Sequence, residues 1–574
     1  MNNRPTYDEA QRLLAVARGQ EQAPLVLKNA RVLNVFTGEI LEHDVALCGE
    51  RIAGVGSYSG LEEIDLSGRI LVPGFIDGHM HLESSMMTPR QFARAVVPRG
   101  TTSVVTDPHE IANVLGAPGI QYLLDSAEGL PLDMWVMRSS CVPATHLENA
   151  GASLTAADLA ELQHPKLLGL AEMMNFPGLL SGDPECLKKV LQTGDQPVDG
   201  HAPRLSGQAL CAYVAAGVQS DHECTTAAEA REKLRLGLHI MLREGSVTRD
   251  IEALLPAVDE VNAHRCFFVT DDREPLDLLR EGHIDFCIRK AIRLGCPPAR
   301  AYTMASYHAA RYFQLHFQGA IAPGYLADLA VVSDLEAVQV ERVMKRGRWV
   351  AENGRLSWEG TPAEVAAPKP TVHLPALEAS SFDIVNDNAH VHVIELIPHQ
   401  IVTGRSTAQV VQQDGKLQAN LEQDVLKLAV VERHRATGNI GLGFVRGFGL
   451  KRGAIASTVA HDSHNLVIAG CSDSDMLVAA REVERLGGGW VVVADGQVLA
   501  ALPLPIAGLL SDQELETVAQ LNLDLIEATR QLGGTAANPF MSLSFLALPV
   551  IPSLKLTDLG LVDVDQFALI GLNA

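Results

Sequence analysis

Nine cysteines are scattered through 574 residues without a single Cys-x-x-Cys pair, and an odd total cannot be fully paired within one chain. A disulfide framework is therefore excluded as the organising device, and a reducing cytoplasm is the expected compartment. Basic residues are also scarce: 46 Lys and Arg stand against 69 Asp and Glu, a formal net charge of −23. Nucleic-acid binding needs a concentrated basic surface, so no such partner is expected, and the chemistry points to a small-molecule substrate. The first ten residues lack the apolar core of a secretion signal, and Asp8 and Glu9 argue against a transit peptide. The most apolar late stretch, 491–510, is broken by Asp495, Pro503 and Pro505, so no membrane span and no membrane partner is expected. Charge runs, low-complexity segments and short-period repeats are lacking too. What remains, 47% hydrophobic and 20% charged, is the composition of an ordinary globular protein, long enough for three or four domains of roughly 150 residues.

The informative stretch is Pro73-Gly74-Phe75-Ile76-Asp77-Gly78-His79-Met80-His81. It reads as a β-strand, in which residues two apart share a face, so His79 and His81 project together while Met80 turns away. Neutral imidazole is the commonest protein metal ligand, and two at this pitch can clamp one divalent ion. The glycine-flanked strand ending in His-x-His resembles the first-strand signature of the amidohydrolase superfamily, metal-dependent hydrolases on a TIM-like barrel.

Taken in order, residues 7–18 read as an amphipathic helix, followed by short strands within 25–72 separated by Gly and polar turns. Further short strands recur at 327–354, and the amidohydrolase resemblance implies that both sets form one small β-sandwich. Between them, short apolar strands alternate with helical patterns, implying βα units and a parallel sheet. Eight strand ends fall at His79, Asp107, Cys141, Glu172, His201, His222, Glu244 and Asp271, at intervals of 21 to 34 residues. That spacing suits an α/β (β/α)8 barrel, whose active site is built at the C-terminal ends of its strands. The expected organisation is a flanking β-sandwich from 1–70 and 321–365, a catalytic barrel over 71–320, and, after a Pro-rich stretch, an α+β domain over 371–574. In that last part a half-exposed strand is expected at 389–395, a helix at 475–486 and a hairpin around Asp495-Gly496.

Round such a barrel the candidate metal ligands are His79, His81, Glu172, His201, His222 and Asp271, enough for two divalent ions sharing one bridge. The family resemblance implies the roles: His79, His81 and Asp271 on one ion, His201 and His222 on the other. Glu172 replaces the carboxylated lysine found in many relatives; its alternative reading is a solvated helix cap. Asp272 adjoins Asp271, and strand register decides which points inward. Water held between two divalent ions is acidified to hydroxide near neutral pH, and an adjacent carboxylate can move its proton, so Glu172 and Asp271 are the expected catalytic carboxylates of a hydrolase.

A narrower resemblance is carried by His79 to Met87, Thr106-Asp107-Pro108-His109-Glu110, Gly200-His201-Ala202-Pro203 and Thr270-Asp271-Asp272-Arg273. Together these are similar to the bacterial adenine deaminases of the amidohydrolase type, and the resemblance extends beyond the barrel. It implies hydrolysis of adenine to hypoxanthine and ammonia in purine salvage, manganese as the metal with iron or zinc as alternatives, and a homodimer. The rival readings are an amidohydrolase acting on another aminopurine or a cyclic amide, and a noncatalytic metal-stabilised binding protein; the full set of ligands disfavours the second. A cytidine-deaminase zinc site is disfavoured because Pro-Cys-x-x-Cys is absent. Glu83, His109 and Glu110 are expected to bind the base, because they follow strands one and two at the barrel rim and can offer donors or acceptors. Ser84 and Ser85 can equally cap a helix, and Arg243 with Glu244 can form a simple ion pair. The group His461-Asp462-Ser463-His464-Asn465 is open to three readings: a further metal site, a lid over the barrel, or a polar turn.

Overall fold

The computed structural model describes residues 4–398 and 400–574. Eight strands form the barrel: β1 (Phe75–Met80), β2 (Thr101–Thr106), β3 (Asp133–Arg138), β4 (Leu167–Met173), β5 (Val198–Gly200), β6 (Ser220–Asp221), β7 (His239–Arg243) and β8 (Cys266–Val269). Strands β1 to β5 make one parallel sheet and β6 to β8 another. Backbone hydrogen bonds join the two into a ring. Gln219 N–H donates to Val198 O at 2.9 Å on one side, and Asp271 N–H donates to His79 O at 3.0 Å on the other. Strands β1, β2 and β4 are buried along their whole length because both faces are covered, the polar residues they carry included. Ile76, Val105, Met137, Leu168, Met241 and Phe267 fill the interior. Gly78 is obligatory in this packing: a Cβ there would lie 2.4 Å from Phe267 Cε2.

The chain's two flanks meet in one nine-stranded sheet. Ile70–Pro73 pairs antiparallel with Leu329–Val332, with Val72 opposite Ala330. The sheet folds over a shared core in which Leu27, Val45 and Ile52 meet Leu329, Val331 and Met344, the expected small sandwich. The N-terminal helix, Tyr7–Ala17, starts in a capping box: Thr6 N–H donates to Glu9 Oε2 at 2.8 Å, and Glu9 N–H donates to Thr6 Oγ1 at 3.4 Å.

Beyond residue 371 an eight-stranded mixed sheet dominates. The alternation expected at 389–395 appears as a strand, His390–Leu396, with Val391 and Val393 buried and His390 exposed. The expected helix spans Asp473–Leu486 and packs on the sheet through Met476, Ala479, Ala480 and Val483. Gly489–Ala494 and Gln497–Pro503 form the hairpin, turning through Asp495 and Gly496 with φ of 52° and 74°, the paired positive values that suit the twist of a two-residue loop. This region lies against the barrel. One apolar cluster contains Leu82, Met86 and Ile111 together with Leu504, Phe545 and Leu556, and Asn149 N–H donates to Asp558 Oδ1 at 2.9 Å. Among the described residues no helix is long and apolar enough to cross a membrane.

Candidate metal centre and substrate pocket

The ends of β1, β4, β5, β6 and β8 bring all six candidate ligands into one buried group, none more than 6% exposed. Glu172 lies at its middle. Its Oε1 is 3.3 Å from His81 Nε2 and 3.9 Å from His79 Nε2, while its Oε2 is 2.6 Å from His201 Nδ1 and 3.1 Å from His222 Nε2. Each carboxylate oxygen thus faces a different pair of imidazoles. Asp271 Oδ1 lies 3.4 Å from His79 Nε2 and 3.1 Å from His81 Nε2. Asp271 takes a left-handed backbone with φ 57°, and its carbonyl accepts His81 N–H at 3.2 Å, tying β8 to the histidine strand. That turn faces Asp271 to His79 and His81, while the neighbouring Asp272, which also lines the pocket, meets Ser84 Oγ.

The residues present fit divalent ions. His81 Nδ1 sits 3.1 Å from Asp107 O, which places its proton there and leaves Nε2 bare, the outer support that orients a ligating imidazole. His79 Nε2 is buried without a hydrogen-bond partner. Neutral imidazoles with carboxylates suit manganese, iron or zinc alike. Burial works to raise the Glu172 carboxyl, but His222 and His201 outweigh it and hold it well below the usual carboxylate range. Burial likewise opposes ionisation of Asp271, and the adjacent His79 and His81 imidazoles together with Arg243 hold it well below its ordinary value. Both carboxylates are held towards the ionised form that binding a metal would require.

A second layer escaped sequence reasoning. Glu223, one residue after His222, lies 3.4 Å from His222 Nε2 and 3.8 Å from His201 Nδ1. Arg243, wholly buried, contacts Glu223 and holds Asp271 Oδ2 at 3.0 Å and Asp250 Oδ2 at 3.0 Å. The simple ion pair that Arg243 and Glu244 could have formed is not found: consecutive residues at a strand end point to opposite faces, and Glu244 pairs with Lys290 at 2.7 Å. Of the residues expected to bind a base, His109 and Glu110 line the pocket beside Glu172. His109 Nδ1 is 3.0 Å from Asp107 Oδ2 and its Nε2 3.2 Å from Glu110 Oε1. Glu83 sits behind them, its Oε1 accepting Ile111 N–H at 3.0 Å in the first turn of helix His109–Leu115. Burial, then the neighbouring Glu110, pushes its carboxyl up to about 7.

The opposite wall comes from far along the chain. Ile401, Phe545, Leu548 and Ile551 face the histidines, joined by His461 and Asp462. A pocket walled by apolar side chains with a few convergent polar groups and carboxylates at its floor suits a small, partly polar ligand.

Residues 70–350 match the amidohydrolase family, and residues 400–568 match the adenine deaminase C-terminal domain. Adenine deaminase 2 of Carboxydothermus hydrogenoformans is 52% identical over 563 residues, covering 98% of this chain and 99% of the relative. The chain belongs to the adenine deaminase family. The adenine deaminase of Desulfatibacillum aliphaticivorans is 49% identical over 566 residues, 98% of this chain and 99% of its own, and that of Brucella anthropi is 48% identical over 563 residues, 98% and 100%. The two family matches cover both walls of the pocket, the barrel ends and the C-terminal residues from Ile401 to Ile551. The amidohydrolase family is metal-dependent, and the histidine and carboxylate clusters described here are ones that could hold an ion.

Proposed function

We propose that this chain hydrolyses adenine to hypoxanthine and ammonia. The observation that carries the reading is full-length similarity to adenine deaminases, including the C-terminal residues that wall the pocket. His79, His81 and Asp271 would hold one divalent ion, His201 and His222 a second, and Glu172 both; its divided carboxylate supports that assignment. Manganese is the proposed metal, with iron and zinc compatible with the same donors. Such ions, when bound, supply a Lewis acid and acidify water to near neutral pH.

Asp271 takes one proton from the attacking water as the oxygen bonds to the purine carbon bearing the amino group, then passes it to that nitrogen as the carbon–nitrogen bond breaks. Ammonia leaves, and the second water proton ends on the ring of hypoxanthine. Arg243, at 3.0 Å from Asp271 Oδ2, fixes the direction of that carboxylate. Ile401, Phe545, Leu548 and Ile551 hold the purine faces and exclude water. His109, with Glu110 and Glu83 behind it, offers a polar contact to the ring. The domain division at 1–70 with 321–365, 71–320 and 371–574, a cytoplasmic location and a homodimer belong to the same reading.

The test is ammonia release from adenine, adenosine, guanine and cytosine by manganese-loaded protein, with a metal-free control. Metal-dependent release from adenine alone is expected. Release from none, with metal bound, would transfer the site to another aminopurine or a cyclic amide.

A further inference from the structure

Strands Ala454–Ser457 and Leu466–Gly470 are antiparallel neighbours in the C-terminal sheet. Their connection runs over the barrel mouth, and its His461, Asp462, Ser463, His464 and Asn465 are each at most 3% exposed. Connecting loops ordinarily lie in solvent, so a polar loop buried this completely must have its polar atoms matched by partners. Glu110 is the charged group nearest to both imidazoles: its Oε1 is 2.6 Å from His461 Nδ1, and its Oε2 contacts His464 Nε2.

The protons in this group can be placed. His464 Nδ1 accepts Ala460 N–H at 3.1 Å, so the His464 proton is on Nε2, directed at Glu110. A nitrogen carrying a proton cannot ligate an ion, so His464 Nε2 is not a metal ligand in this arrangement. Glu110 Oε1 lies beside His461 Nδ1, and the His461 ring is clamped flat on Phe545, with centroids 4.4 Å apart and planes 7° apart. The remaining nitrogen, His461 Nε2, is buried without a hydrogen-bond partner, on a ring that lines the same pocket as Glu172 and Asp271. Leaving such an atom unmatched is costly, and a ligand that satisfies it recovers that cost.

We propose that His461 Nε2 hydrogen-bonds a ring nitrogen of the bound base, with Glu110 and His464 as positioning residues. The C-terminal region then contributes a polar contact to recognition, not only an apolar wall. This rests on the reading of the pocket as adenine's, and the experiment separates the two. Inhibition constants for adenine and for its 1-, 3-, 7- and 9-deaza analogues are measured on the metal-loaded parent, His461→Ala and His461→Gln, with metal content determined for each. The alanine variant loses affinity for adenine by roughly 10- to 100-fold. One deaza analogue, lacking the nitrogen that His461 meets, is bound equally by parent and variant, and His461→Gln, which keeps a donor and an acceptor, recovers part of the loss for adenine. An equal loss for every analogue, or no loss for adenine, overturns the contact. A parent that binds no adenine overturns the substrate reading instead. Where the alanine variant does not fold, His461→Gln serves in the same comparison, and an identical shift across all analogues overturns the proposal.

Discussion

At the scale of single residues, the site depends on charges that would be costly alone. Glu172 and Asp271 are buried and held towards the ionised form because imidazoles and Arg243 surround them, and each loses its function in a different way when neutralised. Asp271→Asn keeps an oxygen for a metal but cannot take a proton. Turnover is expected to fall roughly 10²- to 10⁴-fold while most of the metal is retained. Metal analysis alongside turnover checks this; full turnover would transfer the proton to Asp272. Glu172→Ala removes both halves of the shared carboxylate and is expected to lose metal and turnover with the fold intact, as circular dichroism and metal content would report.

Lys555 carries a different residue-scale consequence. It is fully buried, with Nζ donating to Ile401 O at 3.0 Å and Phe545 O at 2.8 Å, so it ties together two residues that wall the pocket. Burial pulls its ammonium down to about 7. The unfolded value is about 10.4, so the unfolded chain binds more protons than the folded one between those values, and stability rises with pH across that window. From pH 7 to 9.5 the parent is expected to gain up to roughly 3 kcal/mol relative to Lys555→Met. Denaturant titrations of the two proteins at both pH values measure it, and a constant difference would mean that the lysine is charged throughout.

At the scale of elements, the histidine strand works because its neighbours approach closely. The 2.4 Å between a Cβ at position 78 and Phe267 Cε2 leaves no room for Gly78→Ala without shifting β1 or β8. The cost is expected at about 1 to 3 kcal/mol, with metal affinity reduced because His79 and Asp271 ride on those two strands. Urea midpoints and metal titration check this, and an unchanged midpoint would contradict the packing. Element types were legible in the sequence wherever a period was clean: the barrel strands, helix Asp473–Leu486 and the Asp495-Gly496 hairpin lie where periodicity and turn chemistry put them. The partners of Arg243 and Glu244 were not legible, because adjacency in sequence says nothing of facing in a strand.

At the scale of the molecule, the barrel and the C-terminal region share one apolar core and one pocket. A chain ending at residue 370 would expose the barrel mouth and lose Ile401, Phe545, Leu548 and Ile551. It is expected to aggregate, or to turn over no adenine where it remains soluble; a soluble, active fragment would show that the barrel is self-sufficient. The cysteines give a second test. All nine are free, and Cys211 alone is exposed. One thiol should react rapidly in the native protein and nine after denaturation, with no change in thermal midpoint on adding reductant.

The sequence by itself determined the local part of this protein. The His79 and His81 clamp, the eight strand ends and the flanking strands are set by periods of two and by glycine and proline turns, which need no knowledge of distant residues. Tertiary structure alone decided that Asp271 faces His79 and His81 while Asp272 meets Ser84, that Arg243 bridges Glu223 and Asp271, and that His461 and Phe545 meet Glu110 and the barrel mouth. Those choices join residues up to several hundred positions apart. Their energies come from burying charge beside its complement and closing apolar surface over it, so they have no expression in the pattern of any single stretch.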